Sequence, residues 1–306
     1  MSFIDQHAEV FGVEPICRVL TEHGLKMSTS TYYAAKNRPP SARALRDAEL
    51  DAHVVRIHAD NYGVYGARKI WQQLLREGHQ VARCTVERRM RALGLQGARR
   101  GTRVRTTVAD PSHERAPDRL RRDFTATRPN AAWVADFTHV AAWCGVVYVA
   151  FVVDVHSRAI VGWAAALSKQ TSLVLDALDM ALWRRERAGR PVERGLIHHS
   201  DAGSQYTSFR FTTHLLAAGI DASIGTVGDA LDNALMESQI GLYKTELIKP
   251  RGPWHSLADV ELATAEWVAW FNTTRLHSAI GHLPPEEFEA IYYAQHHPNE
   301  ALAINR

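Results

Sequence analysis

Cysteine is scarce in this sequence, with only Cys17, Cys84 and Cys144 among 306 residues. The three are far apart and odd in number, which excludes both a disulfide framework and a Cys-X-X-Cys zinc pair. We therefore predict three small buried or half-buried thiols in a reducing cytoplasm.

Long apolar runs are also missing, since no stretch of about 18 or more apolar residues occurs. The N-terminal stretch MSFIDQHAEVFGVEP has no basic region followed by an apolar run, so it does not resemble a secretory signal. No internal repeat and no sustained heptad pattern is present, which excludes a solenoid and a long coiled coil. We predict a cytoplasmic protein with no membrane partner.

Charge is present but unevenly distributed along the chain. The net charge is only +3, yet residues 83–122 contain twelve arginines and four acidic residues, a local net charge of +8. The rest of the chain therefore carries −5. This asymmetry favours a polyanion such as nucleic acid as partner, because each neutralised phosphate releases condensed counterions. A solvated basic linker would give the same pattern.

Composition and hydrophobic pattern divide the chain into four predicted regions. Residues 1–40 are a helical segment that ends at the proline-containing stretch KNRPPS. Residues 45–100 predict short helices with glycine turns and a basic last helix, as in a helix-turn-helix DNA-binding domain, although any three-helix bundle gives this pattern. Residues 101–128 predict a basic linker that follows a DNA backbone. Residues 129–295 predict a catalytic core with a C-terminal helix.

This last region predicts an α/β fold. Three β-rich runs with short joints are followed by helices that alternate with a fourth and a fifth strand. The order β-β-β-α-β-α-β-α describes a three-strand meander extended by crossover strands. The five predicted strands are AWVADFTHV, VVYVAFVVDV, AIVGWAAAL, GLIHHSD and DASIG.

Three acidic residues are placed to meet in such a fold. Asp136 lies within an apolar strand, where a carboxylate is costly to bury without a partner. Asp201 ends the fourth strand, where ligands of α/β sheets collect, and Glu237 lies on the helix after the fifth. Three carboxylates predict a site for Mg²⁺ or Mn²⁺, and two such ions can support in-line displacement at phosphorus.

The neighbouring histidines predict a supporting role rather than a metal site. His199 shares the face of Asp201 along the strand and His198 points the other way, so the two cannot easily chelate one ion. His199 is a candidate to contact a metal-binding carboxylate on the side away from the ion.

Two further polar residues lie on the helix of Glu237. Asn233 and Lys244 share its face, which places a cation beside the carboxylates, suited to a DNA phosphate. A solvated lysine is the alternative for Lys244. In the basic helix, Arg88, Arg89 and Arg91 are the candidates for contact with DNA.

Several motifs together resemble the OrfB-type transposases of the IS-three family of bacterial insertion sequences, which are DDE recombinases with a core similar to retroviral integrase. The resemblance covers nearly the whole chain. Its motifs are FIDQHAEVFGVEPICRVL, NYGVYGARKIWQQLLREGHQVARCTVERRMRALGL, WVADFTHV, YVAFVVDVHSRAIVGW, HHSDAGSQYTS, GDALDNALMESQIGLYKTELI and WFNTTRLHSAIGHLPPEEF.

The resemblance implies an RNase H-like fold of five mixed strands with helices on both faces. It implies that Asp136, Asp201 and Glu237 form the DDE triad, that two Mg²⁺ or Mn²⁺ ions bind there, and that Lys244 is the basic residue after the glutamate. The implied reaction is cleavage at the 3′ ends of an element followed by strand transfer. The implied partners are double-stranded DNA, as terminal inverted repeats and as target, and further copies of the chain on that DNA, at the bacterial nucleoid.

The chain departs from the family pattern in two respects. Ala202 follows the second aspartate, where the family often has arginine. Members also often work as a fusion with an upstream helix-turn-helix partner protein, and no second such module is predicted here. Two other functions stay open: a catalytically weak DNA-binding regulator, and an RNase H-like nuclease that only hydrolyses.

Overall fold

The structure is a computed structural model that describes residues 1–99, 118–120, 123–201, 203–225 and 233–296. The chain forms two compact units, residues 1–55 and residues 56–306. Most of the arginines of the predicted basic linker, and Ala202, lie outside the described residues. Within the described part of the chain, no helix is both long and apolar enough to cross a lipid bilayer.

The first unit is a small helical cluster. Its helices are α1 (Ser2–Phe11), α2 (Val13–Glu22) and α3 (Thr29–Asn37), and α4 (Ala42–Asp60) begins in this unit and ends in the next. Ile4, Ile16, Cys17 and Tyr32 form its buried core. The Ser28 side chain accepts a hydrogen bond from the Thr31 N–H, which caps α3.

Two short helices open the second unit. These are α5 (Ala67–Arg76) and α6 (Arg83–Ala92). Ile70 and Leu74 of α5 are buried, as are Val86 and Met90 of α6, so each helix buries one apolar stripe. The helix α5 is followed by Gly78, whose φ of +87° lies in the left-handed region that glycine adopts without strain.

A five-stranded mixed sheet forms the centre of the second unit. The strands lie in the order β3-β2-β1-β4-β5, with β1, β2 and β3 antiparallel and β4 and β5 parallel to β1. Their bounds are β1 (Ala132–Ala142), β2 (Gly145–Asp154), β3 (Ile160–Ala166), β4 (Ile197–Ser200) and β5 (Asp221–Ile224). The predicted meander with crossover strands is confirmed.

Helices cover both faces of the sheet, as the fold class predicts. On one face Trp133 and Ala135 pack with the helices α7 and α8, and on the other Phe151 contacts Tyr243 and Trp267. The helices are α7 (Thr171–Arg187), α8 (Phe209–Ala217), α9 (Ala234–Tyr243), α10 (Lys249–Arg251), α11 (Leu257–Thr273) and α12 (Pro285–His296), with a π-helical turn at Lys244–Ile248 and a 3-10 turn at Ser278–Ile280.

The prediction of buried or half-buried cysteines is wrong for two of the three. Cys17 is buried, but Cys84 and Cys144 are exposed. Cys84 lies on the outer side of α6, and Cys144 lies in the turn between β1 and β2.

The sheet and α7 approach each other closely at Gly162 of β3. A Cβ atom at this position would lie 2.1 Å from the carbonyl oxygen of Ala177 and 2.8 Å from the Cβ of Ala181. The close packing of β3 on α7 therefore requires a residue without a side chain.

We expect Gly162→Ala to destabilise the second unit by about 1–3 kcal/mol, as overpacking of a core commonly does. Gly66→Ala is the matched control, since a Cβ there would meet nothing within 4 Å, and we expect it to cost less than about 1 kcal/mol. Urea unfolding followed by circular dichroism measures both, and equal midpoints for the two variants would contradict the close approach.

Candidate active site

The pairing of two strands brings the first two predicted acids together. Ala135 of β1 lies opposite Ser200 of β4 in parallel register. Asp136 follows Ala135 and Asp201 follows Ser200, so the two aspartates lie side by side just beyond this pair. They lie at the carboxyl end of β4, where parallel strands commonly bind ligands.

The third predicted acid approaches from a helix. Glu237 lies in the first turn of α9, and its N–H donates to the carbonyl oxygen of Asn233 at 3.0 Å. The Asn233 side chain donates to the carbonyl oxygen of Ala135 at 3.3 Å, which ties the start of α9 to β1. The negative charge of Glu237 raises the pKa of the Asp136 carboxyl group.

The first aspartate is held in an environment that opposes its ionisation. Burial raises the pKa of Asp136 well above its usual range, and the negative charges of Asp201 and Glu237 raise it further. The Phe137 N–H donates to Asp136 Oδ1 at 2.7 Å, and this bond and the Lys244 ammonium partly offset the rise. A group with such a pKa in a cluster of acids is typical of a functional site.

The second aspartate shows the same trend more weakly. Burial raises the pKa of Asp201, while the Gly203 N–H, which donates to Asp201 Oδ1 at 3.0 Å, and the nearby His199 lower it. The hydrogen bond from Gly203 fixes the carboxylate at the turn where the chain leaves β4. A Cβ at Gly203 would lie 2.9 Å from Asp201 Oδ1, so glycine suits this turn.

The donor set fits a divalent cation. Carboxylate oxygens are the ligands that Mg²⁺ and Mn²⁺ prefer, and a cation would offset the burial that raises both aspartate pKa values and the repulsion that further raises that of Asp136. Asn233 Oδ1 is buried and has no hydrogen-bond partner among the described residues, which leaves one more oxygen at the site. Oxygens of the three acids do not all lie within 4.8 Å of one another, a wider spacing than one compact ion site.

The two histidines of β4 point to opposite faces of the sheet, as their alternation predicts. His198 packs on Tyr206 and Phe211 beside a cavity of about 110 Å³. Burial is the main reason that its pKa is lowered to about 4, so it is neutral. His199 faces the other way, where its Nδ1 lies 2.9 Å from Ser223 Oγ and 3.8 Å from Asp118 Oδ1. His199 as a support for Asp201 stays a prediction.

Lys244 lies where α9 changes into the π-helical turn. Its ammonium lowers the pKa of Asp136, which places it near the acids. Burial and the neighbouring Lys249 lower the pKa of Lys244, and Asp136 raises it. The structure thus brings Lys244 and Asn233 to the same site as the three acids, while their contact with DNA stays a prediction.

The basic helix α6 is remote from these acids in sequence and presents arginines to its surroundings. Arg91 is exposed, and Arg88 and Arg89 are half-buried. Their neighbours Val86 and Met90 form the buried side of the helix. This separation of buried and charged sides allows contact with a phosphate backbone.

Sequence reasoning missed two buried ionic clusters near the site. Asp154 accepts hydrogen bonds from the N–H groups of Asn130 and Ser157 and lies 3.5 Å from Arg185, and Arg185 also pairs with Glu289. The second cluster joins Arg275 and Glu246 within the core. Pairs so distant in sequence leave no local signal, although a buried aspartate after an apolar strand is a weak one.

The family comparisons agree with this architecture. The Integrase core domain family matches residues 126–230, and a second Integrase core domain family matches residues 218–285. The HTH-like domain family matches residues 44–103. The fold and these matches together define an integrase-core protein with a helix-turn-helix-like domain ahead of the core.

Relatives identify the family within that class. The chain is 55% identical over 271 residues to the putative transposase for insertion sequence element IS986/IS6110 of Mycobacterium tuberculosis, which covers 89% of this chain and 98% of that protein. It is 31% identical over 293 residues to transposase InsF for insertion sequence IS3A of Escherichia coli K12, over 94% and 97% of the two chains. The chain therefore belongs to the IS3-family insertion-sequence transposases.

A solved structure also overlaps the core. The HTLV-2 integrase catalytic core domain in complex with magnesium superposes with a TM-score of 0.40 at 18% identity, over 53% of this chain and 98% of that domain.

We expect Asp136→Asn to raise the melting temperature of the metal-free protein at neutral pH. The folded chain binds the Asp136 proton more tightly than the unfolded chain does, so stability falls as pH rises from about 3.9, the unfolded value, through the folded pKa. The amide lacks this penalty. A gain of about 1 kcal/mol would raise the melting temperature by about 2–4 °C.

Differential scanning calorimetry in EDTA measures this effect, with Glu186→Gln on the exposed end of α7 as the control for charge alone. The gain of Asp136→Asn should disappear near pH 3, where both states are protonated. A lower melting temperature for Asp136→Asn at neutral pH would contradict the electrostatic strain.

Proposed function

We propose that this transposase catalyses metal-dependent cleavage at the 3′ ends of its insertion sequence and strand transfer of those ends. The observation that carries the proposal is the placement of Asp136 and Asp201 side by side at the end of β4, with Glu237 near them and a repulsion that a cation would relieve. Transposase relatives over nearly the whole chain support the same chemistry.

In this proposal Asp136, Asp201 and Glu237 hold two Mg²⁺ or Mn²⁺ ions. The ions, when bound, activate the attacking oxygen and stabilise the leaving oxygen at phosphorus. Lys244 binds a nearby phosphate and orients the strand, and Asn233 holds the start of α9 against β1. His199 supports Asp201 from behind. No covalent link between protein and DNA is needed, because water and then the freed 3′-hydroxyl act as nucleophiles.

The rest of the chain supplies the DNA contacts. Residues 45–100 are the DNA-binding domain, with Arg88, Arg89 and Arg91 on phosphates of the terminal repeats. Residues 1–40 are a separate helical segment, and residues 101–128 are a basic linker to the core at residues 129–295. Several copies bridge two element ends at the nucleoid, with the upstream partner protein as a further component.

We expect Asp201→Asn to reduce strand transfer by more than about 100-fold, beyond the 10–100-fold loss typical of residues that only orient a metal ligand. An amide cannot bind two ions as a carboxylate does, but its oxygen still accepts the Gly203 N–H, so folding and DNA binding should persist. Labelled duplexes that carry the element's terminal repeats, with Mg²⁺, Mn²⁺ or EDTA, measure joined products.

Equal strand transfer by Asp201→Asn and the wild type would overturn the metal assignment. Nicked but never joined products would point to a nuclease. A chain that binds tightly and gives joined products only after the upstream partner is added would be a subunit of a larger enzyme. A chain that binds tightly but gives no product even with that partner would be a regulator.

We expect Arg91→Ala to weaken binding to all duplex sequences alike and to lower the slope of log affinity against log salt by about 1, as loss of one phosphate contact does. Arg187→Ala, an exposed arginine of α7, is the control and should leave the slope unchanged. Fluorescence anisotropy at several salt concentrations measures both, and the same slope for Arg91→Ala and the wild type would refute the contact.

A further inference from the structure

The tip of the β1–β2 hairpin carries a tryptophan that the proposed reaction does not use. Trp143 lies in the turn that follows Ala142, and 72% of its surface is exposed. Single exposed apolar residues are common on proteins and carry little meaning alone. Trp143 differs because its position is fixed and because of what lies beside it.

Contacts from another segment hold the tryptophan in place. The Trp143 N–H donates to the carbonyl oxygen of Trp254 at 2.9 Å, and Ala142 forms a bridge with Trp254 in parallel register. The rings of Trp143 and His255 meet edge to face with centroids 4.0 Å apart. The indole is therefore oriented by the fold while most of its surface stays free for a partner.

The hairpin extends away from the catalytic edge in the direction of β1. The parallel pairing of β1 with β4 ends at Ala135, whereas the pairing of β1 with β2 continues to Ala142. Six residues at about 3.3 Å each place the tip roughly 20 Å beyond Asp136. The tip is therefore within reach of a short duplex bound at the acids, whose strands rise about 3.4 Å per nucleotide.

Two lysines lie in the segment that connects the helix of Glu237 to the hairpin tip. Lys244 begins the π-helical turn that follows the helix of Glu237, and Lys249 begins α10 directly after that turn. The chain then passes through α10 to Trp254, which contacts the hairpin at Ala142. Cations near the acids and an aromatic ring at the far end match a nucleic-acid strand, whose phosphates bind cations and whose bases stack on aromatic rings.

The geometry points to a stacking contact between Trp143 and a base of the element end bound at the catalytic edge. At about 3.4 Å per nucleotide along a strand, the base lies roughly six nucleotides from the reacting phosphodiester. The contact rests on the proposed function for the identity of that DNA. An aromatic ring inserted there lowers the cost of unstacking the duplex at that position.

Photocrosslinking tests the contact directly. Element-end duplexes carry 5-iodouracil at single positions, and EDTA allows binding without chemistry. We expect crosslinked peptides that contain Trp143 when the substitution is about six nucleotides from the cleavage point. Crosslinks that never include Trp143, or that include it only when the substitution is in a separate target duplex, would overturn the assignment.

Matched variants give a second measurement. Removal of one base stack corresponds to a loss of about 5-fold to 150-fold in affinity, so Trp143→Ala should weaken binding to the element end by that range in EDTA. Trp143→Phe should retain most of the affinity. Trp183→Ala is the control, since Trp183 is 58% exposed on α7, and it should bind as the wild type does.

The two proposals fail in different ways. Wild-type affinity of Trp143→Ala, with unchanged melting temperature, overturns the stacking contact and leaves strand transfer untouched. Tight binding and Trp143 crosslinks without any joined product overturn the proposed function of the chain alone and retain the contact. No binding of the wild type to element ends overturns both.

Discussion

The parallel pairing of β1 with β4 is the contact on which the site depends. Its register sets Asp136 beside Asp201, and it ends there because β4 is only four residues long. Beyond that point β1 continues with β2 alone, which leaves this edge of the sheet open to α9. A shift of one residue in this register would turn one aspartate to the opposite face and separate the two carboxylates.

The buried acidic residues differ in how far their negative charge is compensated. Asp154 is fully buried, but two backbone N–H groups and Arg185 satisfy it, and Glu246 pairs with Arg275. Asp136 accepts one hydrogen bond from an N–H group and lies near a more distant lysine, and these only partly offset the repulsion from two other carboxylates. The uncompensated charge of Asp136 therefore costs stability, as strained groups at functional sites commonly do.

Much of the core could be predicted from the sequence, because its strands are apolar runs and its helices have regular apolar spacing. The convergence of Asp136, Asp201 and Glu237 followed from their positions in those elements. The π-helical turn after Tyr243 could not be predicted, since its residues fit an α-helical pattern equally well. The exposure of Cys84 and Cys144 depends on which side of a short element faces solvent, which composition does not set.

The helical part of the second unit is joined to the core by packing as well as by the chain. Trp270 of α11 donates from its indole N–H to Asn61, and the Leu276 N–H donates to the Tyr65 hydroxyl. Lys69 of α5 is half-buried near Arg275 and Glu246, and desolvation lowers its pKa to about 7.

Glu246 belongs to the π-helical turn that begins at Lys244, so α5 and the helix of Glu237 are held by one cluster. The distance from the arginines of α6 to the acids is therefore set by this packing, whatever path residues 101–128 take.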